Sequence, residues 1–414
     1  MRRSLPTLTV ITFVTWTGTR MTAVALPLVA LAETGDAWTT GLVGGVSGIP
    51  LLTVGWWGRR LRDRLVSGHA LARVMIVQAA GLAVVPLAAA IAQVDAVALC
   101  ISGVVTGAAG ALLGPAQRSL VSDLADARAI PEGTSSAARW LALQDLAHRT
   151  SMIFAPPLAA WLVVATSAEA LLWCETVVVL AAAVAMRSVP DARAPTEATD
   201  DPGPSSASAT AVLRAQPEIA AGVFMAGVGG VCWFGFSLGL TILGVEQGVP
   251  GELIAAGMSG YGTTSVCTSV FIPVFVDRLP RMPTLVVSWI MLGLAFVAVP
   301  WAAPNLLMVA AVAAAGGAAV PWGIAMLNAL ISEQTTGAQR RAAFTIETVV
   351  HSGGVSVGLL LGGAVIGWVG AMPVLVVTGI AQIAAAATGI IIVRLGRRRA
   401  KSPNRATSQR PTPS

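Results

Sequence analysis

The strongest constraint on this chain is a series of long apolar segments that recur from one end to the other. Each is roughly 18 to 28 residues long, enough for an α-helix to cross the ~30 Å hydrocarbon core of a bilayer. Only 11% of the residues are charged and the mean hydropathy is +0.76, which is typical of a membrane protein. The sequence predicts an all-α membrane protein with twelve transmembrane helices, at about 6–31, 39–57, 71–92, 96–116, 139–165, 168–187, 217–245, 252–276, 283–302, 305–331, 342–369 and 372–395.

Arginine is distributed unequally between the two sides of this bundle. When the segments are threaded alternately, six connections share one side: AETGDAW, AQVDA, TSAEA, GVEQGVPGE, AAPN and VGAMP, none of which contains lysine or arginine. The other side receives GRRLRDRLVSGHALAR (residues 58–73) and the remaining basic connections. Because basic connections stay in the cytoplasm, we expect a multi-pass protein of the inner (cytoplasmic) membrane with both termini cytoplasmic.

A polar stretch divides the chain into two halves. Residues 188–214 are rich in Pro, Ser, Thr and acids and are unsuited to a packed core, so we expect an unfolded cytoplasmic linker. It separates an N-terminal six-helix bundle (1–187) from a C-terminal six-helix bundle (215–396). A disordered basic cytoplasmic tail is expected at 397–414.

The two halves share short patterns in matching places, which indicates a duplication and two pseudo-symmetric bundles. Span four ends in SLVSDL and span ten in ALISEQ. Spans two and eight are each followed by an Asp-Arg pair, and spans five and eleven each begin with an arginine that has an acid six residues later: Asp63-Arg64 and Asp277-Arg278, Arg139 with Asp145, and Arg341 with Glu347.

These features resemble the major facilitator superfamily over essentially the whole chain. The family's signature between spans two and three is GxxxDRxGRR, and GRRLRDRLVSGH matches it at Asp63-Arg64, with the glycine displaced to Gly58 and no second basic cluster. The resemblance implies a cytoplasmic gate formed by Asp63, Arg64, Asp277 and Arg278, with Arg118 as the partner of Asp63. Alternatively, residues 58–73 only fix the topology.

Two further segments are similar to bacterial drug and metabolite efflux members of the family. GALLGPAQRSLVSDL followed by PEGTSSAARW resembles their fourth-span region. Their span five carries GxxxGPxxGG, and this chain has small residues at each glycine position around the proline, which would let two helices pack closely: Ser151, Ala155, Pro156, Ala159 and Ala160. The arginine that antiporters carry early in span four is missing, which weakens the case for proton antiport.

Charges predicted at bilayer depth need a partner, a wet cavity or a function, because each costs about 3 kcal/mol. Arg20 lies on a polar stripe of span one that also contains Trp16 and Thr19. Arg20 either contacts substrate or a coupling ion, or tethers span one to an acid on another helix. Glu175, near the outer end of span six, is expected at the membrane interface.

Acids and bases also share helix faces in spans five and eleven. Asp145 is three residues before His148 and four before Arg149, and Glu347 is four before His351. A carboxyl balanced between burial and a neighbouring cation can change protonation as its surroundings change. The two sets are therefore candidates either for proton coupling or for an inner-gate latch.

Three tryptophans lie deep in their spans rather than at the interface: Trp16, Trp233 and Trp322, on spans one, seven and ten. In the family these spans contribute to the central cavity, so the rings are candidate contacts for an aromatic or amphiphilic substrate. The alternative is that each ring only packs against neighbouring helices.

Together these observations favour a secondary active transporter that exports a small amphiphilic compound, such as a drug, antibiotic or secondary metabolite, in exchange for H⁺. The alternative is an importer (symporter) of a nutrient or siderophore, and a distant alternative is a non-transporting membrane sensor. We expect no enzyme activity, because there is no GxxxxGK[ST] motif, the only lysine is Lys401, and three histidines lie on separate segments. We expect no cofactor, metal or nucleic acid, only a small-molecule substrate and the lipid bilayer, with the protein a monomer.

The predicted topology can be tested with reporter fusions. A periplasm-active reporter placed between the first two spans, at residues 32–38, should be active, whereas the same reporter within residues 58–73 should be silent. A cytosolic location of the first segment would contradict the topology.

Overall fold

The computed structural model of the protein describes residues 4–34, 37–91, 94–132, 136–190, 208–249 and 251–400. Within these ranges, the side chains of Arg20, residues 23–45 and several positions between 152 and 164 fall outside the description. All regular elements in the described ranges are helical.

Fourteen α-helices and one 3-10 turn (Val276–Arg278) are described, and twelve of the α-helices are long while α3 and α8 are short. The helices are α1 (Ser4–Thr34), α2 (Ala37–Trp57), α3 (Arg59–Arg62), α4 (Gly68–Ile91), α5 (Ala96–Glu132), α6 (Ala137–Ala165), α7 (Ala168–Met186), α8 (Ala209–Ala215), α9 (Pro217–Glu246), α10 (Glu252–Phe275), α11 (Arg281–Ala302), α12 (Leu306–Gln334), α13 (Gly337–Val369) and α14 (Ala371–Ala400). Each predicted span corresponds to one long helix. Counting described residues only, eight of them are apolar and long enough to cross a membrane.

The long helices form two bundles of six. In the first bundle α4 packs on α5 and α7, and α1 packs on α6 and α7. In the second bundle α9 packs on α13 and α14, while α12 packs on α10 and α11. The bundles meet where α6 contacts α10 and α12, and where α13 contacts α2 and α5. This arrangement confirms the predicted all-α fold of two six-helix bundles.

The end of α12 contacts the start of α11 (Glu333–Arg281) and the end of α14 contacts the start of α9 (Arg397–Glu218), as expected when successive helices alternate in direction. With this alternation α1 begins and α14 ends on the same side of the molecule. We call this the terminal side. Several helices extend beyond their apolar segments here. α5 continues to Glu132, and the segment QRSLVSDLADAR, which was expected in a connection, is helical, with Gln117, Ser119 and Ser122 buried. Because these polar side chains face other helices, hydropathy alone placed the end of the span too early.

The linker and the tail are also more ordered than expected in the parts that the structure describes. Residues 209–215, inside the expected unfolded linker, form α8, whose Val212 is buried. Residues 397–400 of the expected tail belong to α14. Residues 191–207 and 401–414 lie outside the described residues.

Glycine permits a very close approach of α10 and α12. A Cβ atom added at Gly260 would overlap the carbonyl oxygen of Ala310, and one added at Gly317 would overlap the carbonyl oxygen of Tyr261. The contact is therefore backbone against backbone, the packing that small residues allow between membrane helices. It fixes Tyr261, which lies beside the polar residues described below.

We predict that Gly260→Ala lowers the stability of the protein by about 1–3 kcal/mol, because the added methyl group forces two backbones apart. Gly262→Ala is the matched control, since nothing lies within 4 Å of the added Cβ on the same helix. The measurement is the apparent melting temperature in detergent. Equal melting temperatures for the two variants would show that the close contact is not needed.

Candidate functional site between the two bundles

An ion pair on α6 reaches from the first bundle to the second. Arg149 Nε lies 2.7 Å from Asp145 Oδ2, which is the i,i+4 pair predicted from the sequence. Arg149 Nη1 donates a hydrogen bond of 2.7 Å to Ser265 Oγ on α10. Arg149 is about 18 Å along the 29-residue helix α6 at 1.5 Å per residue, so the pair lies near the middle of the helix. We call Asp145, Arg149 and Ser265 the central cluster.

Aromatic rings lie close to the central cluster. Trp16 of α1 contacts His148 of α6 edge to face, with ring centroids 4.1 Å apart. Tyr261 is one turn before Ser265 on α10, and the ring of Trp233 lies 5.4 Å from it, centroid to centroid. Flat apolar rings beside an ion pair suit a molecule with an aromatic or aliphatic body and one polar group.

A second ion pair joins α5 to α13. Arg118 Nη2 lies 2.8 Å from Glu347 Oε2, and the same arginine contacts Thr348 Oγ1. It also donates to Asn328 Oδ1 on α12 (3.4 Å) and lies over the ring of Phe344. Both charged groups are largely buried, with 21% and 12% of their side-chain surface exposed. Arg118 is therefore held almost entirely by residues of the second bundle.

This geometry corrects two expected pairings. Asp63 does not pair with Arg118, because Arg118 is turned toward α13; Asp63 Oδ1 instead lies 3.2 Å from Arg62 Nε. Glu347 does not contact His351, whose Nδ1 lies 3.0 Å from the carbonyl oxygen of Ala226 on α9. Asp63 thus pairs with its neighbour in sequence, whereas Glu347 pairs with Arg118 on another helix.

A third set of charges joins the bundles at the terminal side. Arg340 at the start of α13, 2% exposed, reaches Asp123 Oδ1 (2.6 Å) and Asp126 Oδ2 (2.7 Å) on α5. Its Nε donates to the carbonyl oxygen of Thr335. Sequence reasoning used this arginine only as a marker of topology. The sequence features that could have indicated this contact were the arginine doublet Arg340-Arg341 at the start of one span and two acids, Asp123 and Asp126, three residues apart near the end of another.

The loop after span eight contacts the first bundle directly. Ser136 Oγ donates to Asp277 Oδ1 at 2.5 Å, and the same oxygen accepts from the backbone N–H of Arg139 to cap α6. Arg278 is exposed, as is Arg64 in the matching loop of the first bundle. Asp277 is therefore placed at the start of a helix of the opposite bundle.

The remaining residues that the sequence suggested for the site do not form one cluster. Thr19 is exposed and its hydroxyl donates to the carbonyl oxygen of Thr15. Trp322 is half-buried on α12 and packs against the second bundle's core. Of the small-residue motif, Ser151, Ala155 and Ala159 are buried. The side chains of Arg20, Pro156 and Ala160 lie outside the described residues.

Glu175 was expected at the membrane interface, but its side chain is buried within the protein. Its side chain is 4% exposed and faces α1 inside the first bundle. Position along a span indicates depth but not the helix face, so this burial was not predicted. In the part of the chain that the structure describes, no group of three His, Cys, Asp or Glu side chains is placed to hold a metal ion.

Comparison with known families now decides the class of protein. The sequence profile of the Major Facilitator Superfamily matches residues 8–304 and, in an overlapping second match, residues 233–413. The chain belongs to the Major Facilitator Superfamily. It is accordingly a multi-pass membrane transporter of small molecules, as the resemblance in the sequence implied. A search of the curated proteins finds no significant match.

Solved structures of this superfamily share the fold. The human organic anion transporter MFSD10 (TETRAN) has a TM-score of 0.72 at 12% identity, covering 94% of this chain and 99% of its own. The transporter FucP in its outward conformation has a TM-score of 0.71 at 15% identity, covering 95% and 98%. A bacterial homologue of the iron transporter ferroportin, in an outward-facing state, has a TM-score of 0.71 at 13% identity, covering 96% and 100%.

We predict that Arg340 helps to hold the terminal side of this superfamily member closed. In a variant lacking the four native cysteines, Ser136→Cys with Asp277→Cys should cross-link efficiently through a short thiol reagent. Adding Arg340→Gln should lower the yield, because losing one partner of a buried ion pair costs several kcal/mol. The matched control is Arg397→Gln, whose ion pair with Glu218 stays within the second bundle. Unchanged cross-linking with Arg340→Gln would contradict the latch.

Proposed function

We propose that this protein is a secondary active transporter that exports a small amphiphilic compound across the cytoplasmic membrane by alternating access. The observation that carries the proposal is the central cluster, an ion pair near the middle of α6 that joins the two bundles beside the rings of Trp16 and Tyr261. A site between two pseudo-symmetric halves at the bilayer midplane is where such carriers bind substrate. The rings offer apolar surface to the body of the compound, and the ion pair offers charged groups to its polar part.

Exchange for protons follows from the chemistry of the two ion pairs. Asp145 and Glu347 each neutralise an arginine that also contacts the opposite bundle. Protonation of either carboxyl removes its negative charge, which leaves the arginine without a counter-ion and weakens the contact between the bundles. A proton that arrives from outside would thus favour the rearrangement that returns the site to the cytoplasm.

The position of Arg20 supports a role near the central cluster. Backbone position 20 is four residues from Trp16, so the two positions share a face of α1. Trp16 contacts α6 through His148. We therefore keep Arg20, with Trp16, Trp233 and Trp322, as a candidate for substrate binding, and the tether between span one and an acid as the alternative.

The direction of transport is proposed from α6. Ser151, Ala155 and Ala159 are buried where efflux members of the family carry glycine, and close packing at this place is the feature that favours export. The terminal side carries the basic connections, so we place it in the cytoplasm. The described polar contacts between the bundles lie on this side or near mid-depth, which fits a state closed to the cytoplasm.

One observation favours the alternative of proton-driven import. The arginine that antiporters carry early in span four is missing from ALCISGVVTGAAG. The direction of proton-coupled flux separates the two functions, because an exporter concentrates its substrate in everted vesicles and an importer does so in right-side-out vesicles.

We predict that Asp145→Asn and Glu347→Gln each reduce proton-driven uptake of the amphiphilic dye ethidium into everted vesicles about tenfold or more, because one partner of a buried ion pair is lost. Glu246→Gln, an exposed acid at the end of α9, is the matched control and should transport normally. Protein levels in the membrane are measured for each variant. Flux equal to that of the parent in both variants would remove these acids from the mechanism.

A further inference from the structure

Glu175 is a buried acid without a counter-ion among the described side chains. It lies near the middle of α7, and its side chain is 4% exposed. Neither Oε1 nor Oε2 has a hydrogen-bond partner, and no described cation lies within ion-pair distance. By contrast, Asp145 and Glu347 are both paired with arginine. Glu175 is thus separate from the central cluster and from the charges at the terminal side.

The carboxyl group occupies space that a glycine leaves open. A Cβ atom added at Gly18 of α1 would lie 3.0 Å from both Cγ and Oε1 of Glu175. Thr22 is one turn further along the same face of α1, is buried, and has a hydroxyl group without a hydrogen-bond partner. Gln78 of α4, the other main neighbour of α7, is buried with its side-chain oxygen likewise unpartnered. Oxygen atoms able to accept a hydrogen bond are therefore available on both neighbouring helices.

The described charged side chains of the neighbouring helices have other partners or lie at another level. On α1, position 20 is about 200° around the helix from Gly18. On α4, His69 and Arg73 are exposed within the first two turns. On α6, Asp145 and Arg149 pair with each other, and His148 contacts Trp16.

The second bundle shows that packing alone does not require an acid here. TWTG in α1 matches CWFG in α9, so Gly235 corresponds to Gly18. Gly235 contacts Thr378 of α14, and α14 has the place in the second bundle that α7 has in the first. The hydroxyl group of Thr378 donates to the carbonyl oxygen of Leu375 and is satisfied. A small neutral residue thus fills the corresponding contact, whereas the first bundle places a carboxyl group there.

We propose that Glu175 binds a proton and forms a protonation site at the contact between α1 and α7, distinct from the central cluster. An ionised carboxylate without a partner is strongly disfavoured in an apolar interior, whereas the neutral acid has one O–H that can be donated to a neighbouring oxygen. The ligand is the proton itself, and the site exists whether the protein exports or imports its substrate.

The test is infrared spectroscopy of the full-length protein reconstituted in sodium-free liposomes. At neutral pH the parent should show the carbonyl band of a protonated carboxylic acid, and Glu175→Gln should lack the part of that band due to one buried carboxyl. Glu169→Gln is the matched control, the same change six residues earlier on the same helix at a half-exposed position, and should retain the band. If Glu175→Gln fails to insert, Glu175→Thr, which copies Thr378, carries the same test.

Two results would overturn the proposal. An unchanged band in the Glu175 variants would show that this side chain is ionised in the parent. In the second, sodium chloride is added at constant pH, with potassium chloride as the control salt. Loss of the band with sodium alone would show that the carboxylate oxygens of Glu175 bind sodium in place of a proton. Neither result depends on transport, so failure of this inference is distinguishable from failure of the proposed function.

Discussion

Water is absent from the interior of a bilayer, so every charge there must be satisfied by the protein itself. In this transporter three largely buried arginines, one of them at the terminal side, have partners that lie largely or partly in the opposite bundle. Arg118 binds Glu347, Arg149 reaches Ser265, and Arg340 reaches Asp123 and Asp126. The contacts that make the charges tolerable are therefore the contacts that hold the bundles together. The bundles can part only if each group finds a new partner, a proton or water, and this requirement links the ionisation of the acids to the conformation of the carrier.

The internal duplication gives the two halves equivalent residues, but these residues have different partners in the structure. Arg118 immediately precedes SLVSDL and Asn328 immediately precedes ALISEQ, so they occupy equivalent places, and they contact each other where the bundles meet. Asp145 and Glu347 are also equivalent, yet Asp145 pairs within its own helix whereas Glu347 pairs across the interface. In the proposed proton-coupled cycle, protonation of Glu347 would act on the interface directly, while protonation of Asp145 would act through Arg149. Two equivalent acids with different partners can respond at different steps of one cycle.

The sequence predicts interactions that are local and misses those that depend on which helices are neighbours. The Asp145–Arg149 pair follows from i,i+4 spacing, and the twelve spans follow from apolar length. The partner of Arg118 depends on the contact between α5 and α13, which spacing along the chain does not contain, so Asp63 was chosen wrongly. Arg340 was missed, and the burial of Glu175 against α1 was not predicted, for the same reason, since hydropathy reports how deep a residue lies and not what it faces. The end of α5 was placed too early because its polar side chains are buried against protein.

α1 connects the two places at which protons are proposed to bind. Trp16 and Gly18 are two residues apart, so they point to nearly opposite sides of the helix. Trp16 contacts His148, one turn from Asp145 on α6, and Gly18 contacts Glu175 on α7. A change in the charge of either acid alters the surface against which one side of α1 packs. Because a close-packed helix cannot shift on one side without disturbing the other, α1 is the element through which the protonation of Glu175 would be felt at the central cluster.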